Sequence, residues 1–312
     1  MTKSFQRYLR AKRTVDDRAL DRRLVKLLRE QLADRATDSD GPLRILEIGA
    51  GIGTMLARFL DWDVLPAGEV HYTAVDLQSE NVARLPDHIR NWAADRQMSV
   101  RDGPLVLDSE NRRVEIEAVQ ADAVAHATGT DGEYDLLVGA ALLDILDRRE
   151  LPTLLDPLAP GGLYYFPLTF DGATRFQPSH PADRTVERLY HEHMDGKQGG
   201  DSRAGSDVLG RLQRLDGTTL SAVAGSDWVV RPIDGSYPAD EAYFLRYILD
   251  TIEDAVGEVA GRDFEGLADW LAGRREQVAA AELLYHTHQL DFLGRAVTRR
   301  SSGESWPSPR MK

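Results

Sequence analysis

Apolar positions along the chain follow two rhythms, a period near 3.6 and short unbroken runs, and the way these alternate predicts the fold. Between residues 14 and 33, Leu20, Leu24, Leu27, Leu28 and Leu32 recur at helical spacing. An amphipathic helix is therefore expected ahead of the main fold, with Thr14 and Asp17 as its candidate N-terminal cap. After the polar break 37–42, short apolar runs at 43–48, 70–75, 114–119, 134–138 and 163–168 read as strands. Helical stretches near 53–60, 79–93, 123–127 and 148–158 lie between them. Strand and helix in this alternation predict a mostly parallel sheet with helices on both faces.

Two segments break the rhythm. Residues 94–113 are polar and read as a loop, while 171–204, rich in Gly, Pro, His and Asp, is far longer than an ordinary connection. Beyond it, 206–215 reads as a helix. Residues 219–224 and 228–232 are expected to pair antiparallel around Gly225-Ser226-Asp227. From 240 to about 295 the pattern reads as helical, with breaks near Gly261 and Gly273. The expected organisation is a helical cap at 1–40, a main domain at 41–235 with a lid at 171–204, a helical extension at 236–298 and a disordered tail at 299–312.

Composition narrows the chemistry. The 312 residues are 42% hydrophobic and include no cysteine, so disulfides, thiolate metal sites and cysteine nucleophiles are all excluded. No apolar run approaches the roughly 20 residues of a membrane span, and the polar, basic start does not read as a secretory signal, so a cytoplasmic protein is expected. A net charge of −13 disfavours a nucleic-acid partner, since affinity for phosphate backbones comes from Lys and Arg. The Asp-rich, Lys-poor balance also resembles proteins of salt-adapted organisms, where acidity serves solvation, and that weakens the charge argument.

The strongest local signal is Ile45-Leu46-Glu47-Ile48-Gly49-Ala50-Gly51-Ile52-Gly53-Thr54, an apolar strand running into a glycine-rich turn and then a helix. Glycine belongs where a ligand presses against main chain or φ turns positive. A dinucleotide fingerprint, G-x-G-x-x-G, would need glycine at position 54, which is Thr. An acid at Glu47 would also repel a pyrophosphate. The strand expected at 70–75 runs into Asp76, a carboxylate suited to a ribose diol, followed by Leu77. That at 114–119 is followed by Asp122 and Ala123.

Glycines at 49, 51 and 53 behind Glu47, with Asp76 and Asp122 following in order, resemble the class I S-adenosylmethionine-dependent methyltransferases over about residues 43–170. The resemblance implies a doubly wound, seven-stranded Rossmann-like sheet and S-adenosyl-L-methionine as cofactor. It implies that Glu47, Gly49, Ala50, Gly51 and Gly53 form the turn at the cofactor's amino-acid end. Asp76 and Leu77 would serve the ribose, and Asp122 and Ala123 the adenine, with Ala140 at the end of the fourth strand. Packing glycines and helix-capping acids remain the plain alternative reading of the same residues. A nicotinamide-dependent oxidoreductase and a non-catalytic nucleotide- or partner-binding module are the competing functional readings.

Methyl transfer from a sulfonium needs alignment, exclusion of water and at times a base, so sequence determines catalytic residues weakly. After the fourth expected strand, Gly139-Ala140-Ala141-Leu142-Leu143-Asp144 lacks the Asn/Asp-Pro-Pro-aromatic signature of amide- and base-methylating relatives. The insertion carries Asp171, Arg175, His180, Tyr190, His191, His193 and Asp195 at the edge where substrate must lie. Of these, His191, His193 and Asp171 are the catalytic candidates, with histidine as general base. His191-x-His193-x-Asp195 is not expected to hold a metal, because residues two apart on a helix diverge. His286 and His288 are read as packing or surface residues of the C-terminal helical region, and Tyr243 and Phe244 as core with a substrate-facing alternative. The expected activity is methylation of a small molecule at oxygen or nitrogen; the sequence leaves the oligomeric state open.

Overall fold

The computed structural model describes residues 4–38, 41–96, 98–101, 104–130, 132–260, 264 and 266–297. Two helices open it, α1 (Phe5–Ala19) and α2 (Arg22–Thr37), where the leucine periodicity alone predicts one. Asp21 makes the break without glycine or proline, its carboxylate accepting from the N–H groups of Arg23 and Leu24 to start a new helix. Ser4 caps α1, whereas Thr14, the expected cap, sits inside α1 and donates to Glu241.

The sheet then builds in alternation: β1 (Leu43–Ile48), α3 (Thr54–Asp61), β2 (Gly68–Asp76), α4 (Ser79–Ala94), β3 (Ser99–Arg101), β4 (Leu105–Asp108), β5 (Arg112–Gln120), α5 (Ala123–Thr128) and β6 (Tyr134–Val138). It continues through α6 (Leu151–Leu155), β7 (Leu158–Gln177), α7 (Asp183–Gly196), α8 (Ala204–Leu212), β8 (Thr218–Gly225), β9 (Trp228–Val230), α9 (Glu241–Ala260), α10 (Gly266–Ala279) and β10 (Leu284–Ala296). Strand order is β3-β4-β5-β2-β1-β6-β7-β10-β8, with β9 paired to β10. Strands β5, β2, β1, β6 and β7 are parallel. The doubly wound, mostly parallel sheet implied by the resemblance is therefore the fold, with ten strands in place of seven among the described residues.

The differences from expectation have local causes. Residues 94–113, read as a loop, include the β3–β4 hairpin, which extends the sheet antiparallel beyond β5. Residues 171–204, read as one long lid, are divided between the end of β7 and helix α7, and α7 packs on α9. The stretch from 240 to 295 is helical only through α10, because β10 returns to the sheet and inserts between β7 and β8. Strands β8 and β9 do not pair with each other as expected but lie in line along β10. His286 and His288 thus belong to a strand, and both contact Asp227, at 3.2 and 2.7 Å. Gly273 lies inside α10, while the expected break at Gly261 and the tail 299–312 fall outside the described residues.

Each face of the sheet carries a hydrophobic cluster. One gathers α1, α2, α3, α4 and α9 around Leu28, Leu32, Phe59, Ile89 and Phe244. The other gathers α6 and α8 around Leu154, Phe166 and Val208. The strand order reverses between β1 and β6, and in open parallel sheets the crevice at that reversal, outside the strand C-terminal ends, is where ligands bind.

Candidate cofactor and substrate site

A cavity of about 600 Å³ occupies that crevice, within the usual range of small-molecule sites. One wall comes from the strand ends: Gly49 and Gly51 after β1, Val75 to Gln78 at the end of β2, Ala121 to Ala123 after β5, and Ala140 to Leu142 after β6. Its other wall is assembled from elements distant in sequence: Phe5, Tyr8, Leu9 and Lys12 of α1, Leu168 and Phe170 of β7, Tyr190 and Met194 of α7, Trp228 of β9, Tyr247, Ile248 and Thr251 of α9, and Tyr285 and Gln289 of β10.

The turn after β1 leaves main chain bare against the cavity. Gly49 and Gly51 hold φ of +67° and +58°, values that disfavour any side chain. A Cβ at Gly51 would stand 3.1 Å from the Leu9 side chain, so α1 lies directly over the turn. Asp76 fixes the turn from below: its Oδ2 accepts from the Gly51 N–H at 2.8 Å, and its Oδ1 accepts from Gln78 N–H and the Asn81 amide. Three of the four acceptor directions of that carboxylate are thus filled, leaving one on Oδ2 for a hydroxyl donor. Asn81 in turn accepts from the Gln6 amide at 3.2 Å, so a chain of hydrogen bonds runs from α1 through α4 and β2 to the glycine turn.

Seven of the ten residues expected at the cofactor line this cavity: Gly49, Gly51, Asp76, Leu77, Asp122, Ala123 and Ala140. The other three stand behind it. Glu47 is buried and accepts a 2.6 Å hydrogen bond from the Tyr72 hydroxyl; burial pushes its carboxyl up to about 8, against the opposing effects of Tyr72 and Arg58. Ala50 donates its N–H to the Val75 carbonyl. Gly53 meets Leu85 and Ile89 of α4, which is the packing alternative realised. Asp122 does both jobs, lining the cavity while capping α5 through the N–H groups of Val124 and Ala125.

The catalytic candidates are placed elsewhere. On α7 the cavity is faced by Tyr190 and Met194, four residues apart on one stripe, and His191 and His193 fall off it. His191 bonds Thr174 at 2.9 Å, and burial lowers its pKa. His193 pairs with Glu258 of α9 at 2.7 Å. Asp171 accepts from the backbone and hydroxyl of Ser206 at the start of α8. The structure does not bring these three residues together, nor do any of them line the cavity. Tyr243 and Phe244 also miss it, while Tyr247 and Ile248, one turn further along α9, reach it.

Of the second wall the sequence pointed to Tyr190, as a residue of the insertion; the rest of that wall and several residues at its border with the first were missed. Ala141 and Leu168 line the cavity at φ of +50° and +61°, strained for non-glycine residues and of the kind that clusters at functional sites. Leu168 is held by its N–H, which donates to the buried Asp291 carboxylate at 2.8 Å. Lys12 reaches the cavity with its ammonium on Asp16 at 3.0 Å. Asp144 lines it too, and its Oδ1 is shielded from solvent with no hydrogen-bond partner.

No family model and no curated protein matches the sequence. Solved structures resemble it distantly. A SAM-dependent methyltransferase from Geobacter sulfurreducens, crystallised with S-adenosyl-L-homocysteine, is 13% identical, with 92% of this chain and 98% of that one covered and a TM-score of 0.42. A putative sarcosine dimethylglycine methyltransferase from Galdieria sulphuraria is 13% identical over 88% of this chain and 85% of that one, at a TM-score of 0.42. The cyclase SpnF is 16% identical over 88% and 80% of the two chains, at 0.41. Likenesses this distant say nothing of what the present chain binds. Among the described residues, no helix is long and apolar enough to cross a membrane, and no group of three or more His, Cys, Asp or Glu residues is arranged to hold a metal ion.

Proposed function

We propose that this protein is an S-adenosyl-L-methionine-dependent methyltransferase acting on a small-molecule oxygen or nitrogen. The observation that carries the reading is the cavity wall itself: bare main chain at Gly49 and Gly51, with the Asp76 and Asp122 carboxylates on the same side of one cavity at the strand reversal. Such a wall suits an uncharged ribose and a thioether or sulfonium chain lying close to backbone, and it offers carboxylates where a pyrophosphate would need N–H groups. The cofactor brings the activated methyl group. This chain's own residues would then bind and orient: Asp76 through its remaining acceptor direction on the ribose, Asp122 and Ala123 along the adenine, and the second wall around the acceptor. The aromatic second wall suits a small acceptor better than a polymer, and α1 lies over the glycine turn through Leu9.

The test is a thermal-shift and calorimetric panel of S-adenosylmethionine, S-adenosylhomocysteine, NADH and NADPH. The two sulfur nucleosides should raise the melting temperature as ligands of the folded state, and the nicotinamides should not. Gly51→Arg, which places a large side chain in the cavity under Leu9, should abolish the shift while the protein stays folded. Stabilisation by NADH or NADPH alone would replace this proposal with the oxidoreductase reading, and no response to any of the four would leave a non-catalytic module.

A further inference from the structure

Three carboxylates line the cavity, and their partners differ. Asp76 is engaged by Gly51, Gln78 and Asn81, and Asp122 by Val124 and Ala125. Asp144, on the segment after β6, is half-buried and lines the cavity, and one of its side-chain oxygens has no hydrogen-bond donor. A carboxylate so placed is costly until a donor, best a cationic one, arrives. The surrounding wall is aromatic, with Phe5, Tyr8, Phe170, Tyr190, Trp228 and Tyr247 among its residues, and aromatic faces attract cations.

Two side chains interact electrostatically with Asp144. From α1 comes Lys12, whose ammonium is matched by Asp16 at 3.0 Å. From α7 comes the Tyr190 hydroxyl, whose pKa burial and Asp144 together push up to about 12, so it stays neutral. The one basic side chain of this wall is therefore already paired, and of the three lining carboxylates Asp144 is the one with an oxygen that is buried and has no donor.

We propose that the methyl acceptor is a small amine bound as its ammonium form, with an N–H on Asp144 and its apolar body against the aromatic wall. The proposal rests on the cofactor reading above and narrows its acceptor from oxygen or nitrogen to amine nitrogen. The ammonium has no lone pair, so one N–H bond breaks first, its proton moving to the Asp144 carboxylate and its electron pair staying on nitrogen. That pair then forms the N–CH₃ bond as the C–S bond breaks, and the sulfonium sulfur keeps the C–S electrons as a neutral thioether. Burial already pushes the Asp144 carboxyl up to about 6, against its own backbone N–H and Lys12, which brings it towards the range a proton acceptor needs near neutrality.

The experiment measures calorimetric affinities on protein saturated with S-adenosylhomocysteine, using 2-phenylethylamine, its neutral analogue 2-phenylethanol and the anionic 3-phenylpropionate. The amine should bind at least about tenfold more tightly than the alcohol, with the acid weakest. Asp144→Asn should remove the preference for the amine while leaving S-adenosylhomocysteine affinity within about threefold. In the unmodified protein, amine affinity should be flat from about pH 8 down to pH 7 and fall below about pH 6 as Asp144 takes up a proton. An acid that binds as well as the amine, an amine that does not bind, an affinity flat across that range, or a preference that survives Asp144→Asn each overturns the proposal. Loss of S-adenosylhomocysteine binding in Asp144→Asn would reassign the carboxylate to the cofactor. A protein that never binds S-adenosylhomocysteine fails the cofactor reading itself, a separate outcome from a wrong ranking of the amine, the alcohol and the acid.

Discussion

At the residue scale, Glu47 separates what a motif implies from what a side chain does. The resemblance assigns it to the turn at the cofactor's amino-acid end, yet its carboxyl accepts from the Tyr72 hydroxyl and it lies behind the cavity wall. Its carboxyl, pushed up to about 8 by burial, holds a proton in the folded protein across a range where the unfolded chain, near 4.5, has lost it. A group raised in this way contributes its full stability below about pH 4.5 and loses it as pH climbs towards 8. Glu47→Gln keeps a neutral acceptor for Tyr72 and removes the titration, so it should stabilise the protein increasingly from pH 5.5 to 8.5, by on the order of 3 kcal/mol at the upper end. Melting temperatures across that range check it, and a difference that does not grow with pH would show that Glu47 is ionised in the native state. S-adenosylhomocysteine affinity should change little, because no Glu47 atom faces the cavity.

At the element scale, α1 supplies part of the cavity wall and lies over the glycine turn. It docks on α9 through Tyr8, stacked 4.3 Å from the ring of Tyr247 and 5.6 Å from that of Phe244, and through Arg18 on the buried Glu241. It touches the glycine turn through Leu9 and, by way of Gln6 and Asn81, the Asp76 carboxylate. Tyr8→Ala removes the stack at a cost of about 3 kcal/mol. That cost should fall mainly on the docking of α1: its amides should exchange hydrogen faster while those of β1 and β6 keep their protection. Equal acceleration in β1 would mean that α1 is part of one cooperative unit and not a separable cover. The elements themselves were legible where apolar spacing matched burial, as in β1, β2, β5 and β6. Strand β10 was not, because its inward positions Thr287, Gln289 and Asp291 are polar and almost wholly buried, so the alternation that marks a strand is hidden in a polar stretch. The first wall of the cavity was legible for the opposite reason: it is made from glycines and acids at strand ends, within a few residues of the strands that place them. The second wall draws on α1, α7, α9, β7, β9 and β10, and nothing in a linear sequence sets Lys12, Asp144, Tyr190 and Gln289 side by side.

At the scale of the whole molecule, the sheet is closed by its last strand passing between two earlier ones, and a single glycine makes the passage fit. Gly294 of β10 pairs with Tyr164 of β7 on one side and Leu220 of β8 on the other, at an irregularity in the β8 register. The Tyr164 hydroxyl crosses above it to the Thr219 carbonyl at 3.3 Å. A Cβ at this position would overlap both the Tyr164 ring and the Thr219 carbonyl oxygen, so relief requires a flanking strand to move and not merely a side chain to rotate. The same strand carries Asp291, which accepts from Leu168 beside the cavity and from the Asp21 N–H at the start of α2, so displacing β10 would disturb the cavity wall and the N-terminal helices together. Gly294→Ala should therefore destabilise by about 3 kcal/mol or more, lowering the melting temperature by roughly 5 °C or more. Adding Tyr164→Phe should restore only part of the loss, because the hydroxyl overlap goes while the ring and the main-chain overlap at Thr219 stay. A Gly294→Ala protein that melts like the parent would place β10 elsewhere than between β7 and β8. Full recovery in the double variant would mean that the Tyr164 hydroxyl alone, and not the spacing of the strands, reserves the position for glycine.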